Sequence, residues 1–140
     1  MRVFLKFCSI AILVLLVIIA LGPANWQPRT GLGWQLDHFL GYFAATSIVW
    51  LAWPRRPFLV GGFMMGTAAL LEALQAFTPD RHADFYAALF GAGGALTQAL
   101  LAELFIRVRR RAKTWIKIKN PKAPAATRAN FLGRERKPQS

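Results

Sequence analysis

Glu72 and Gln75 are three residues apart, the spacing that sets a carboxylate and a carboxamide side by side on one face of a helix. Arg81, His82 and Asp84 follow them, and Asp37 and His38 stand earlier in the chain. Residues 72–84 alone hold three of the six acidic residues. A desolvated carboxylate, a histidine able to exchange protons near neutrality and a guanidinium able to hold a phosphate or carboxylate suit either acid–base catalysis or recognition of an anionic group. The same residues also have a structural use. Glu72 bonded by Gln75 or His38, and Asp84 capping a helix while paired with Arg81, would hold a connecting loop against its neighbours. His38, His82, Asp37, Asp84 and Glu72 are metal-ligand types too, but no H-x-x-x-H pair is present and no metal is expected. No phosphate loop, nucleophile elbow or CxxC occurs, so no cofactor is implied and a non-enzymatic role is favoured over catalysis.

The elements that must position these residues are apolar runs. Of the 140 residues, 55% are hydrophobic, above the roughly 45–50% usual for soluble domains. Residues 7–21 carry no charge and are dense in Ile, Leu and Val. They form either a retained membrane helix or a signal peptide, with Gly22, Pro23 and Ala24 loosely resembling a cleavage site. The retained helix is the preferred reading, since Pro is unfavourable just before a cleavage point. Three further runs span residues 36–53, 58–77 and 85–106, separated by Pro54 and Pro57 and by Pro79. Each has about the ~20 residues needed to cross a hydrocarbon core. The expected fold is therefore all-α, an integral bundle of four transmembrane helices over residues 1–107 followed by a basic segment at 108–140. Within it the lone Cys8 reads as a small buried hydrophobe that forms no internal disulfide.

Charge gives the orientation. Twelve cations lie from Arg107 onward against the single acid Glu135, so the tail carries +11 of the net +12. Arg2 and Lys6, Arg55 and Arg56, and this tail all fall on one side of a four-span topology, while only Arg29 and Arg81 fall on the other. The positive-inside rule then puts both termini in the cytoplasm. In that arrangement Asp37, His38, Glu72, Gln75, Arg81, His82 and Asp84 converge at the outer face. Trp26 and Trp34 lie at headgroup depth there. Arg107, Arg109, Arg110, Arg111 and Lys113, interleaved with Val108 and Trp115, suit a segment lying on anionic lipid headgroups. Residues from 120 onward are rich in Pro, Ala and Lys and are expected to be disordered. Nucleic acid is not an expected partner, because the same charges already serve as the topology signal.

Small residues suggest how the helices pack. Ala83, Ala87, Gly91, Ala95 and Ala99 recur every four residues, as do Gly62 and Gly66, continued by Ala69, Ala73 and Ala76. Such stripes allow close backbone approach, and Glu72, on the side with Ala68, Ala69 and Ala76, is expected to turn toward a neighbouring helix.

The order His38-Phe39-x-x-Tyr42, then Glu72-x-x-Gln75-x-x-x-Pro79-x-Arg81-x-x-Asp84, then Gly94 in a small-residue helix, resembles the VanZ-like family of small bacterial membrane proteins. The resemblance covers residues 36–101. It implies about four membrane helices in the bacterial inner membrane and a role in the cell envelope, with teicoplanin resistance the founding trait. The expectation that follows is recognition or shielding of an anionic, lipid-linked envelope group. A membrane enzyme acting on a lipid-linked headgroup and a minimal proton or solute pathway are the alternatives. The chain departs from the family where Trp34 and Gln35 stand in place of its Asp-Lys pair, and where Ala87 and Gly91 stand in place of an acid and an asparagine.

Overall fold

In the computed structural model four helices follow one another: α1 (Arg2–Leu21), α2 (Trp34–Ala52), α3 (Pro57–Gln75) and α4 (Phe85–Lys119). The structure describes residues 2–23, 25, 31, 33–78 and 83–119, with side chains from 3 to 115. Trp26, Arg29, Pro79, Asp80, Arg81, His82 and the tail from residue 120 lie outside the described residues.

Proline and glycine set the helix ends. Pro54 follows the end of α2, a turn closes through Arg56 N–H to the Trp53 carbonyl at 3.2 Å, and Pro57 opens α3. The first turn of a helix has no partner for its N–H groups, so proline costs nothing there. Gly33 precedes α2 at φ +105°, a conformation open to glycine and strained for other residues. Asp84 starts α4: its carbonyl accepts Ala88 N–H at 3.2 Å and its Oδ1 accepts Tyr86 N–H at 2.8 Å. The first is the opening bond of the helix ladder, and the second satisfies a first-turn donor that the helix start would leave orphaned.

Three of the helices are long and apolar enough to cross a membrane. The most apolar is α1, with a mean hydropathy of 2.9 over a window of which only 6% is buried. Val3, Phe4, Phe7, Ile10, Val14 and Ile18 stay exposed along it. A helix apolar all round with so little protein cover calls for a lipid surround. The other two are Pro57–Gln75 and Phe85–Trp115. Although helical for 19 residues, α2 is not among the three, and Gln35, Asp37, His38, Thr46 and Ser47 dilute its apolar content.

The chain divides into two units, Met1–Leu104 and Phe105–Ser140. In the first, Tyr42, Ala45 and Val49 of α2 meet Val60, Met64 and Ala68 of α3 and Ala95 of α4, with Ile12, Leu13 and Leu16 of α1 packed against them. Ser9 is fully buried on α1; its hydroxyl donates to Leu5 O at 2.8 Å and lies 3.4 Å from Ile48 O of α2. Ala99 lies against Gly61 and Ala68 against Gly91, so this part of α4 runs antiparallel to α3. In the second unit α4 continues as helix through the basic residues to Lys119, well past the expected end at 106. Arg, Lys and Ala are good helix formers and the next proline is Pro121. The residues from Arg107 to Trp115 are exposed.

The packing corrects the expected face of α3. Gly62, Gly66, Ala69, Ala73 and Ala76 are exposed, and nothing lies within 4 Å of a Cβ added at either glycine. The buried face instead carries Val60, Gly61, Met64, Ala68, Leu71, Glu72 and Gln75. One residue of register turns a helix by about 100°, which moves the glycine pair from the interface to the outside. On α4 the expected stripe holds from Ala87 to Ala99, while Ala83 is exposed. Cys8 is half-buried rather than buried.

Candidate functional site

At the end of the bundle formed by the C-termini of α1 and α3 and the N-terminus of α2 lies a cavity of about 330 Å³. Ligand pockets commonly have roughly 300–1,000 Å³ and mostly apolar walls, and this one fits that pattern. Leu15, Leu16 and Ile19 of α1 and Leu71 of α3 supply apolar wall, while Asp37, His38, Glu72 and Gln75 supply polar groups. Four residues singled out from the sequence thus come together at one place. They do so because α1, α2 and α3 alternate in direction, so that the start of α2 meets the end of α3.

Glu72 is buried at 7% exposure in the last turn of α3. The partner of its Oε1 is the backbone N–H of Asp84, at 2.7 Å, rather than Gln75 or His38 as the sequence suggested. Asp84 in turn caps α4 through Oδ1. Two carboxylates therefore act in series: one fixes where the connection returns to the bundle, and the other starts the next helix there. Charge-assisted hydrogen bonds of this type contribute about 1.5–3 kcal/mol each.

The helix dipoles do not treat the three acids alike. Asp37, in the first turn of α2, and Asp84, at the start of α4, sit where the dipole favours negative charge. Glu72 sits at a C-terminal end, where the dipole opposes negative charge by about 0.3–1 kcal/mol. Lys6 lies near the start of α1, and Arg55 and Arg56 join α2 to α3, so these described cations stand toward the opposite end of the bundle. Arg81, the expected partner of Glu72 and Asp84, lies outside the described residues, as does His82.

Gln75 is 6% exposed and lines the cavity. Its backbone carbonyl accepts Thr78 N–H at 3.0 Å and Thr78 Oγ1–H at 2.7 Å. His38 Nδ1 lies 2.8 Å from the Trp34 carbonyl. A carbonyl only accepts, so Nδ1 carries a proton and donates it to Trp34 O. The Trp34 ring meets the imidazole edge-on, with centroids 6.0 Å apart.

Tyr42 joins the cavity as well, although the sequence singled it out only as part of a motif. It lies four residues after His38, one turn along the same face. Its ring rests on Gly91: a Cβ there would come within 2.7 Å of Tyr42 Cδ2. Thr46, one turn further, is fully buried and donates to Tyr42 O at 2.6 Å. Among the described residues no group of three or more His, Cys, Asp and Glu is placed to hold a metal ion. No protein-family model, curated protein or solved structure matches the chain.

Proposed function

We propose that the chain is a VanZ-like integral membrane protein of the bacterial cell envelope. In this reading it recognises or shields the head of an envelope lipid or lipid-linked molecule without chemically changing it. The observation that carries the proposal is the 330 Å³ cavity, apolar along α1 and closed by Asp37, His38, Glu72 and Gln75. That combination suits a molecule with one hydrocarbon part and one polar part. Arg81 would meet the anionic group of the head, being three residues before Asp84. All four helices cross the inner membrane in this reading, α2 included, with its polar residues turned to the cavity and to its helical neighbours. In this reading the end with Lys6, Arg55 and Arg56 faces the cytoplasm, as the positive-inside rule favours, and the cavity opens at the outer side. The basic end of α4, from Arg107 to Lys113, rests on anionic headgroups of the inner leaflet.

Native mass spectrometry of the gently extracted full chain tests this proposal. A co-purifying lipid or lipid-linked molecule is expected on the wild type. It should be lost in Gly41→Leu, which fills the cavity from a position with nothing within 4 Å of an added Cβ. Equal lipid occupancy of the two proteins would overturn the binding reading. A chemically altered lipid, appearing only with the wild type, would show an enzyme instead.

A further inference from the structure

We infer that the cavity opens sideways to the bilayer through a slot between α1 and α2, and that the slot seats one hydrocarbon chain of a lipid whose remaining parts stay in the adjacent leaflet. The inference rests on the lipid-recognition reading and adds the route by which the ligand enters and the part of it that the cavity holds.

The cavity is drawn out along α1 and α2. On α2 its lining runs from Trp34 to Ala45, about 16 Å at 1.5 Å per residue, or roughly half of a ~30 Å hydrocarbon core. On α3 it is touched only between Leu71 and Gln75. Asp37, His38, Glu72 and Gln75 gather toward one end, and Ile12, Leu16 and Ala45 wall the other. Just beyond that apolar end α1 and α2 touch, where the Ser9 hydroxyl lies 3.4 Å from Ile48 O. The slot is therefore closed at its deep end, polar toward its shallow end and of a length that suits a chain.

Its two lips are exposed. Leu15 on α1 and Gly41 and Ala44 on α2 line the slot and yet face outward. The exposed surface continues beyond them as Ile18 on α1 and Leu40 on α2, and none of these residues is polar. Tyr42 and Ala45, on the inner side of α2, are buried, so the opening points away from the core. An apolar rim of this kind calls for hydrocarbon rather than water around it. At about 330 Å³ the cavity also stands at the low end of the roughly 300–1,000 Å³ of ligand pockets. A whole membrane lipid exceeds that volume. Part of the ligand must lie outside, and lips at Leu15 and Ala44 let that part remain in the bilayer.

The test is photolabelling of the full-length protein in vesicles of phosphatidylethanolamine and phosphatidylglycerol, with a trace of phosphatidylglycerol carrying a diazirine midway along one chain. Bulk lipid reaches the outward-facing Val14 and Ile18, so the readout by peptide mass spectrometry is the ratio of adducts at the slot-lining Ile12 and Leu16 to adducts at those two. Inner adducts are expected in the wild type. Ala44→Trp and Leu15→Trp crowd the two lips from exposed positions, and each should lower the ratio several-fold while leaving the outer adducts, and hence the inserted fold, unchanged. Ala20→Trp crowds the polar end instead and should lower it far less. Inner adducts that survive both lip variants, or that Ala20→Trp removes as fully as they do, overturn sideways entry and leave lipid recognition standing. Absence of inner adducts from the wild type overturns the seated chain. If a lipid still co-purifies in native mass spectrometry, that result leaves the recognition reading in place, and if none does, it overturns both.

Discussion

Glu72 and Asp84 show how one side chain can serve fold and site together. The Glu72 carboxylate receives Asp84 N–H at 2.7 Å and also faces the cavity. Leucine at position 72 would leave that part-buried N–H without its acceptor, a cost of about 1–3 kcal/mol. Glu72→Leu should therefore lower the thermal midpoint in detergent micelles, and Glu72→Gln should lower it less. Asp84→Ala removes the cap from α4 and should cost about 1 kcal/mol by the same measurement. Glu72 and Arg81 form a separate case, since their coupling was expected from the chain alone. Glu72→Gln and Arg81→Gln should each impair stability or envelope-drug sensitivity, and together much less than additively. Strict additivity in that cycle would make them two unrelated features.

At the scale of helices, glycines separate the inner from the outer faces. A Cβ on Gly61 would stand 2.6 Å from Ala99 Cβ, and one on Gly94 would collide with the Phe39 backbone carbonyl. The backbone of α2 has no flexible end to move aside, so Gly94→Ala should cost about 1–3 kcal/mol, as overpacking commonly does. Gly62→Ala and Gly66→Ala meet nothing within 4 Å and should be neutral or stabilising by up to about 1 kcal/mol, through helix propensity. Equal losses at all these positions, in urea or thermal unfolding, would contradict the rotation of α3 described above.

For the whole molecule the proposed topology has a direct test. Reporter fusions after Arg56 and after Ser140 should both be active only in the cytoplasm, and a periplasmic signal at either would move the cavity to the inner side. Truncation after Lys119 should leave an inserted, folded protein. The described packing of the first unit lies within Met1–Leu104, and residues 120–140 offer only Phe131 and Leu132 as sizeable apolar groups.

The number of helices, their approximate ends apart from the C-terminus of α4, and the gathering of Asp37, His38, Glu72 and Gln75 at one end were legible in the chain. Apolar runs of similar length, cut by Pro54, Pro57 and Pro79, fold back on one another as antiparallel helices, and that alternation decides which polar residues share an end. The Asp84 cap was readable too, because an acid just before a helix has a local partner in that helix. The inner face of α3 was not. The small stripe of Gly62, Gly66, Ala69, Ala73 and Ala76 was the expected inner face, yet the buried one carries Val60, Met64 and Leu71, and where the surroundings are lipid apolar character does not mark which side is buried. Only the fit of Gly61 against Ala99, and of Ala68 against Gly91, decides it. The bond from Asp84 N–H to Glu72 is likewise a tertiary fact. It joins residues twelve apart through the path of a connection, and no spacing rule for a single helix reaches across that.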